Sequence, residues 1–189
     1  MNHRYLQKFQ IKDVVFLAIM SAVALATCAV MPLVISLQPL IFGISQLVTA
    51  LQIGVFFAIG LYKVRKPGSL LIMALMMGLI QLMMSPPMFL SSVLNGILIE
   101  LIVLLLFRGY EKDAAVFCAA MLHTPLSLPF NYLYNRLIKG ADSPLAAVAG
   151  RAQLAAVGMT LAVVAVSALG ALIGIKIARE LKKSGVLKK

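Results

Sequence analysis

Residues 40 to 62, LIFGISQLVTALQIGVFFAIGLY, contain no charged side chain. A helix needs about 20 mostly apolar residues to cross the roughly 30 Å hydrocarbon core of a bilayer, so a run of this kind belongs in lipid. It has company along the chain. Apolar runs predict six transmembrane helices, over 14–31, 40–62, 69–84, 88–107, 114–135 and 147–176. Between them lie residues 32–39, which begin and end with proline, then KVRKPGS (63–69), SPP (85–87), RGYEKD (108–113) and KGADSP (139–144). Each break holds Pro, Gly or charge that halts a helix. Within hydrocarbon every backbone polar group must find its partner inside the protein, and an open sheet edge cannot meet that demand. The expected fold is an all-α integral membrane protein, one domain over 1–189 built as a bundle of six helices. Composition agrees: 62% hydrophobic residues, 12% charged and a mean hydropathy of +1.01 leave too little polar surface for a soluble domain.

Charge placement orients the bundle. In a soluble protein a net charge of +11 would suggest nucleic acid. Here the Lys and Arg fall in short clusters between apolar runs, the pattern that encodes topology in a bilayer, and no nucleic-acid partner is expected. With the N-terminus in the cytoplasm, fourteen of the seventeen Lys and Arg lie on the inner side, leaving Arg136, Lys139 and Arg151 outside. An even number of helices then keeps both termini cytoplasmic. The basic start MNHRYLQKFQIKD resembles the opening of a signal peptide. The apolar segment after it is nearly long enough to span and is followed by further spans, so it is read as a retained first helix. LATC at 25–28 makes a poor lipoprotein box because of Thr27. Cys28 and Cys118 both lie inside apolar runs and read as small packing residues, with neither a disulfide framework nor a zinc spacing. No metal or cofactor is expected.

An ionised carboxylate at mid-bilayer costs roughly 2.5 to 3.5 kcal/mol on insertion scales, which makes polar groups inside the runs functional candidates. Helix 4 carries Asn95 about 10 Å and Glu100 about 18 Å below its outer start, at 1.5 Å per residue. On helix 5, His123, Ser127, Asn131 and Asn135 recur every fourth residue and form one stripe, which Tyr134 adjoins. Helix 6 opens with GRAQLAAVGMT, placing Arg151 and Gln153 in its first turns. Helices 4, 5 and 6 are therefore expected to surround an outward-opening polar pocket. In it Glu100 is offset by Arg151, by His123 or by a cationic ligand. The structural alternative puts Glu100 near the inner interface or bonds it to a neighbouring helix. His123 fits an interhelical hydrogen bond equally well, and Tyr132 and Tyr134 fit the aromatic belt at the membrane boundary. Helix 1 has Ala18, Ala22 and Ala26 at four-residue spacing, a smooth strip that lets another helix approach closely. Gln46, Gln52 and Gln81 read as interhelical hydrogen-bonders, and the eleven methionines as deformable packing.

The chain has no Walker motif, no TVGYG-type filter, no arginine ladder and no strong internal repeat. These absences argue against a motor ATPase, a potassium channel, a voltage sensor and an inverted-repeat carrier. Size, six-helix plan, basic cytoplasmic ends and the Ala18-x-x-x-Ala22 motif in AIMSA (18–22) resemble the S components of energy-coupling factor (ECF) transporters, small membrane subunits that capture vitamins. RKPGS (65–69), NGILIEL (95–101) and GALIGIKIARELKKSGVL (170–187) are similar to the S components associated with thiamin or its hydroxymethylpyrimidine precursor.

The resemblance implies that helices 4 to 6 and the loop after helix 1 enclose a vitamin-like ligand, with Gln38 closing over it. The candidate ligand set is Glu100, Asn95, His123, Asn131, Tyr134, Asn135, Arg151 and Gln38. It further implies that helices 1 to 3 face a transmembrane coupling subunit through Ala18, Ala22 and Ala26. Two cytoplasmic ATPase subunits drive uptake, and the loaded subunit topples in the cell membrane. The absence of tryptophan departs from thiamin-type sites, which often stack the ligand on aromatic rings. One rival is a stand-alone carrier with Glu100 and His123 as a proton relay. A second is an intramembrane enzyme with His123 as base, against which no paired acids, nucleophile elbow or metal spacing accompany that histidine. The expectation is a transport protein and not an enzyme.

Overall fold

The structure, a computed structural model, describes residues 8–30, 33, 34, 36, 37, 40–138, 140 and 153–186. Among these stand six α-helices: α1 Ile11–Thr27, α2 Ile44–Val64, α3 Ser69–Leu82, α4 Pro86–Phe107, α5 Asp113–Ile138 and α6 Gln153–Lys183. Their ends depart from the apolar runs for local reasons. α1 begins earlier than expected because Asp13 in its first turn accepts the Gln10 N–H at 3.1 Å. α2 begins later, after Gly43 at a φ of 77°, where a side chain would also crowd Leu128 and Met159. α6 continues past its apolar run because KIARELKK is rich in helix formers, and Lys182 and Lys183 suit the negative end of the helix dipole. Pro86 and Pro87 occupy the first turn of α4, where a missing N–H is no loss.

Burial runs opposite to that of a water-soluble helix. On α4 the buried face is Ser92, Asn95, Gly96, Ile99, Glu100 and Val103, whereas Leu94, Ile97, Leu98, Leu101 and Leu105 point outward. Hydrocarbon solvates leucine and rejects amides and carboxylates, so the polar stripe must turn inward. By length and apolarity α2, α4 and α6 each suffice to cross a bilayer; α3, with 14 residues, is shorter than that.

α2 is the central post and packs against α1, α3, α5 and α6. Its approach to α6 is the closest that side chains permit. A Cβ added at Gly170 or Gly174 would collide with the carbonyl oxygen of Leu51 or Val55, and one at Gly54 would stand 3.0 Å from the Ser167 carbonyl. Small residues at four-residue spacing let the two backbones meet. Elsewhere Leu17, Phe57, Leu61, Met73, Ile99 and Val103 fill a continuous core. Buried hydroxyls tie α3 to α1 and α4: Ser21 on α1 donates to Met73 O at 3.1 Å, and Ser92 on α4 donates to Ala74 O at 3.0 Å.

The end of the bundle where α2, α4 and α6 finish is laced by charge. Lys66 pairs with Asp13 at 2.6 Å, and Asp113 receives both Arg65 and Arg179, the latter at 2.6 Å. α2 closes on Arg65 at a φ of 45°, a left-handed conformation that costs a non-glycine residue about 1–2 kcal/mol. Its guanidinium offsets that cost by bonding the Tyr62 and Glu111 carbonyls as well as Asp113, and by lying 4.1 Å over the Tyr62 ring.

Candidate functional site

Glu100 sits at the charged end. Its carboxylate accepts the Gly68 N–H at 2.6 Å and the Tyr110 hydroxyl at 2.9 Å. Gly68 is the N-cap of α3 and has no side chain with which to satisfy the first turn. A carboxylate reaching over from α4 supplies that cap, and the positive end of the α3 dipole offsets its charge. Burial, and after it the adjacent Glu100 charge, pushes the Tyr110 phenol well above its ordinary pKa, so this loop residue stays protonated and donates. Glu100 therefore binds α4 to the start of α3 and to the loop after α4. These contacts are those of the structural alternative, a carboxylate bonded to neighbouring elements.

A cavity of about 420 Å³ lies toward the opposite end, between α2, α3, α4 and α5. That volume is within the range of small-molecule pockets. α5 contributes His123, Thr124, Ser127, Phe130, Asn131, Tyr134 and Asn135, so the four-residue stripe read from the sequence lies along one wall. α4 adds Met88, Ser91, Ser92 and Asn95, α3 adds Met77 and Gln81, and α2 adds Ser45, Gln46 and Thr49. Asn95, His123, Asn131, Tyr134 and Asn135 are thus brought together, while Glu100 is not among the lining residues. Gln38 and Arg151 lie outside the described residues.

Helices 4, 5 and 6 were the expected walls; the described part of α6 contributes none of the lining, and α2 and α3 stand in its place. The glycine face of α6 packs on α2, and Gln153 is exposed. Gln46 and Gln81 were visible in the sequence as buried amides without an assigned cavity. Ser45, Thr49, Ser91 and Thr124 gave no separate signal, because single hydroxyls are common in helix packing.

Several lining groups are already engaged. Ser45 donates to the Gln46 side-chain oxygen at 2.8 Å, Thr49 to the Ser45 carbonyl at 2.9 Å, and Asn135 to the Asn131 carbonyl at 2.8 Å. With its amide turned to satisfy both ends, Asn95 donates to Leu126 O and accepts from Ser127 N–H, each at 3.3 Å. It therefore clasps α5 beside the two internal prolines, Pro125 and Pro129. His123 differs from these. It is 3% exposed, its ring centroid lies 4.4 Å from that of Phe57, and neither ring nitrogen has a hydrogen-bond partner. The Thr124 hydroxyl is likewise unbonded. Buried polar atoms rarely remain so, and each forgoes a bond that a solute could supply. No Asp, Glu, Lys or Arg is found among the described lining residues. The chemistry available is hydrogen bonding from amides, hydroxyls and an imidazole, with Phe130, Tyr134 and two methionines as apolar walls.

Outward-facing leucines, an inward polar stripe and a cavity toward one end of the helices define an all-α integral membrane protein. Over residues 11–184 the chain matches the family described as hypothetical bacterial integral membrane protein (Trep_Strep), and it belongs to that family. Among curated proteins none matches. The fold is similar to the crystal structure of an S-component of an ECF transporter, with a TM-score of 0.64 and 20% identity, over 95% of this chain and 89% of that one.

Proposed function

We propose that this protein is the substrate-capturing membrane subunit of an ECF-type importer. The observation that carries this reading is the polar cavity, set in lipid-facing helices on a fold shared with an S-component. In this reading all six helices cross the bilayer, the cavity opens outside and the charged end faces the cytoplasm. The excess of Lys and Arg at the loops of that end supports the orientation. The ligand is a small vitamin-like molecule, thiamin-related by the similarity of RKPGS, NGILIEL and the α6 segment. By the resemblance, Gln38 and Arg151, which lie outside the described residues, join His123, Asn131, Tyr134 and Asn135 in the ligand set.

Energy comes from two cytoplasmic ATPase subunits through a transmembrane coupling subunit that docks on α1. The burial of α1 supports that docking face: Leu17, Ser21 and Ala24 point inward, Ala22 and Ala26 are exposed, and Ala18 is half-buried. A proton relay between Glu100 and His123 has no support, because Glu100 is bonded to Gly68 and Tyr110 and both His123 nitrogens lack a partner. The test is native mass spectrometry of protein purified from its own membranes, with calorimetric titration in lipid nanodiscs. One equivalent of a small molecule, or saturable binding, is expected; a protein that neither carries nor binds any vitamin-sized solute refutes the reading.

A further inference from the structure

The lining residues nearest the charged end, Ile53, Met77, Asn95 and His123, lie midway along their helices and form the floor of the cavity. Its polar side chains are nearly sealed from solvent: Thr49 and Thr124 are 3% exposed and Asn95 is 1% exposed. None of these groups carries a fixed charge. The nearest carboxylate along α4, Glu100, lies about 7.5 Å further down the helix by axial rise, and its two oxygens are taken by Gly68 and Tyr110. A cation pushed to this depth would leave water without meeting a counter-charge, and desolvation of an unpaired ion outweighs anything hydroxyls and amides return. A neutral ring bearing hydroxyl or amino groups suffers no such penalty and can bond the unpartnered nitrogens of His123 and the Thr124 hydroxyl.

We infer that the cavity selects an uncharged, hydrogen-bonding heterocycle over one that carries a permanent positive charge. This inference rests on the capture reading and narrows its substrate class. It contrasts with the sequence-based expectation of a cationic group paired with Glu100.

Two probes separate the cases: 4-amino-5-hydroxymethyl-2-methylpyrimidine, which is uncharged at neutral pH, and thiamin, whose thiazolium is permanently cationic. Calorimetry on the full chain in nanodiscs should find the pyrimidine bound at least tenfold more tightly than thiamin. Thr124→Asp adds a carboxylate at the floor without removing a hydrogen bond within the protein. It should shift the preference toward thiamin by at least tenfold, whereas Thr124→Val, which adds no charge, should weaken pyrimidine binding without raising the affinity for thiamin. Thiamin binding as tightly as the pyrimidine to the unmodified protein overturns the inference and leaves the capture reading intact. Should Thr124→Asp not fold, that comparison on the unmodified protein decides alone. Failure of both probes, with no small molecule co-purifying, instead overturns the capture reading and this inference with it.

Discussion

A buried carboxylate was the clearest polar signal in the chain, and its partner was the hardest to foresee. Glu100 is satisfied by the Gly68 N–H and by a tyrosine from the loop after α4. A backbone N–H has no residue type by which a sequence could announce it, so the position reads as a search for a cation when the need is met by a helix end. Glu100→Gln keeps the shape but presents an NH2 to one of two donors. It should lower stability by about 1–3 kcal/mol, read as a fall in the thermal midpoint in detergent or nanodiscs. Affinity for a bound probe should stay unchanged, and a large loss of affinity at unaltered stability would return Glu100 to the ligand. The α5 stripe was legible for the opposite reason. His123, Ser127, Asn131 and Asn135 repeat at the helical period, and side chains alone define the wall they line.

Small residues four apart mean the same thing locally wherever they occur, namely a backbone that can be approached. Sequence cannot say by what. α1 offers Ala18, Ala22 and Ala26 and α6 offers Gly170 and Gly174, yet in the fold the α6 set is spent on α2 while Ala22 and Ala26 stay exposed. The described part of α6 leaves those cavity walls to α2 and α3, and which helices pack together is something periodicity does not encode. Substitution should separate the two strips. Gly174→Ala forces a methyl against the Val55 carbonyl and should cost about 1–3 kcal/mol of stability, seen as a lowered thermal midpoint and poorer yield of folded protein. Ala22→Leu should spare both folding and ligand capture while reducing co-purification with a coupling subunit. If Ala22→Leu instead lowers the midpoint as Gly174→Ala does, α1 is an internal surface and the docking assignment fails.

The molecule is polarised along its axis, with ion pairs and a carboxylate-capped helix toward one end and, toward the other, a cavity with no charge among its described lining residues. The class of fold was readable from apolar length alone, and the proposed side of each end from the basic clusters. With Cys28 and Cys118 replaced by Ala, single cysteines can check the proposed sidedness. A membrane-impermeant maleimide should label Met83→Cys on intact cells and Ser184→Cys only after lysis; labelling of Ser184→Cys on intact cells would invert the bundle. The short third helix adds something to this picture. At 14 residues α3 measures about 21 Å, roughly 9 Å less than the hydrocarbon it adjoins. Its last turn is joined to the start of α4 by three residues, whereas its start meets Glu100 seven residues before α4 ends, so the shortfall lies at the charged end, beside Gly68. A bilayer meeting so short an element thins locally and draws its headgroups down toward it. In the proposed orientation such a dimple keeps Lys66, Asp13, Arg65 and Asp113 among the headgroups, so none of these charges has to enter acyl chains.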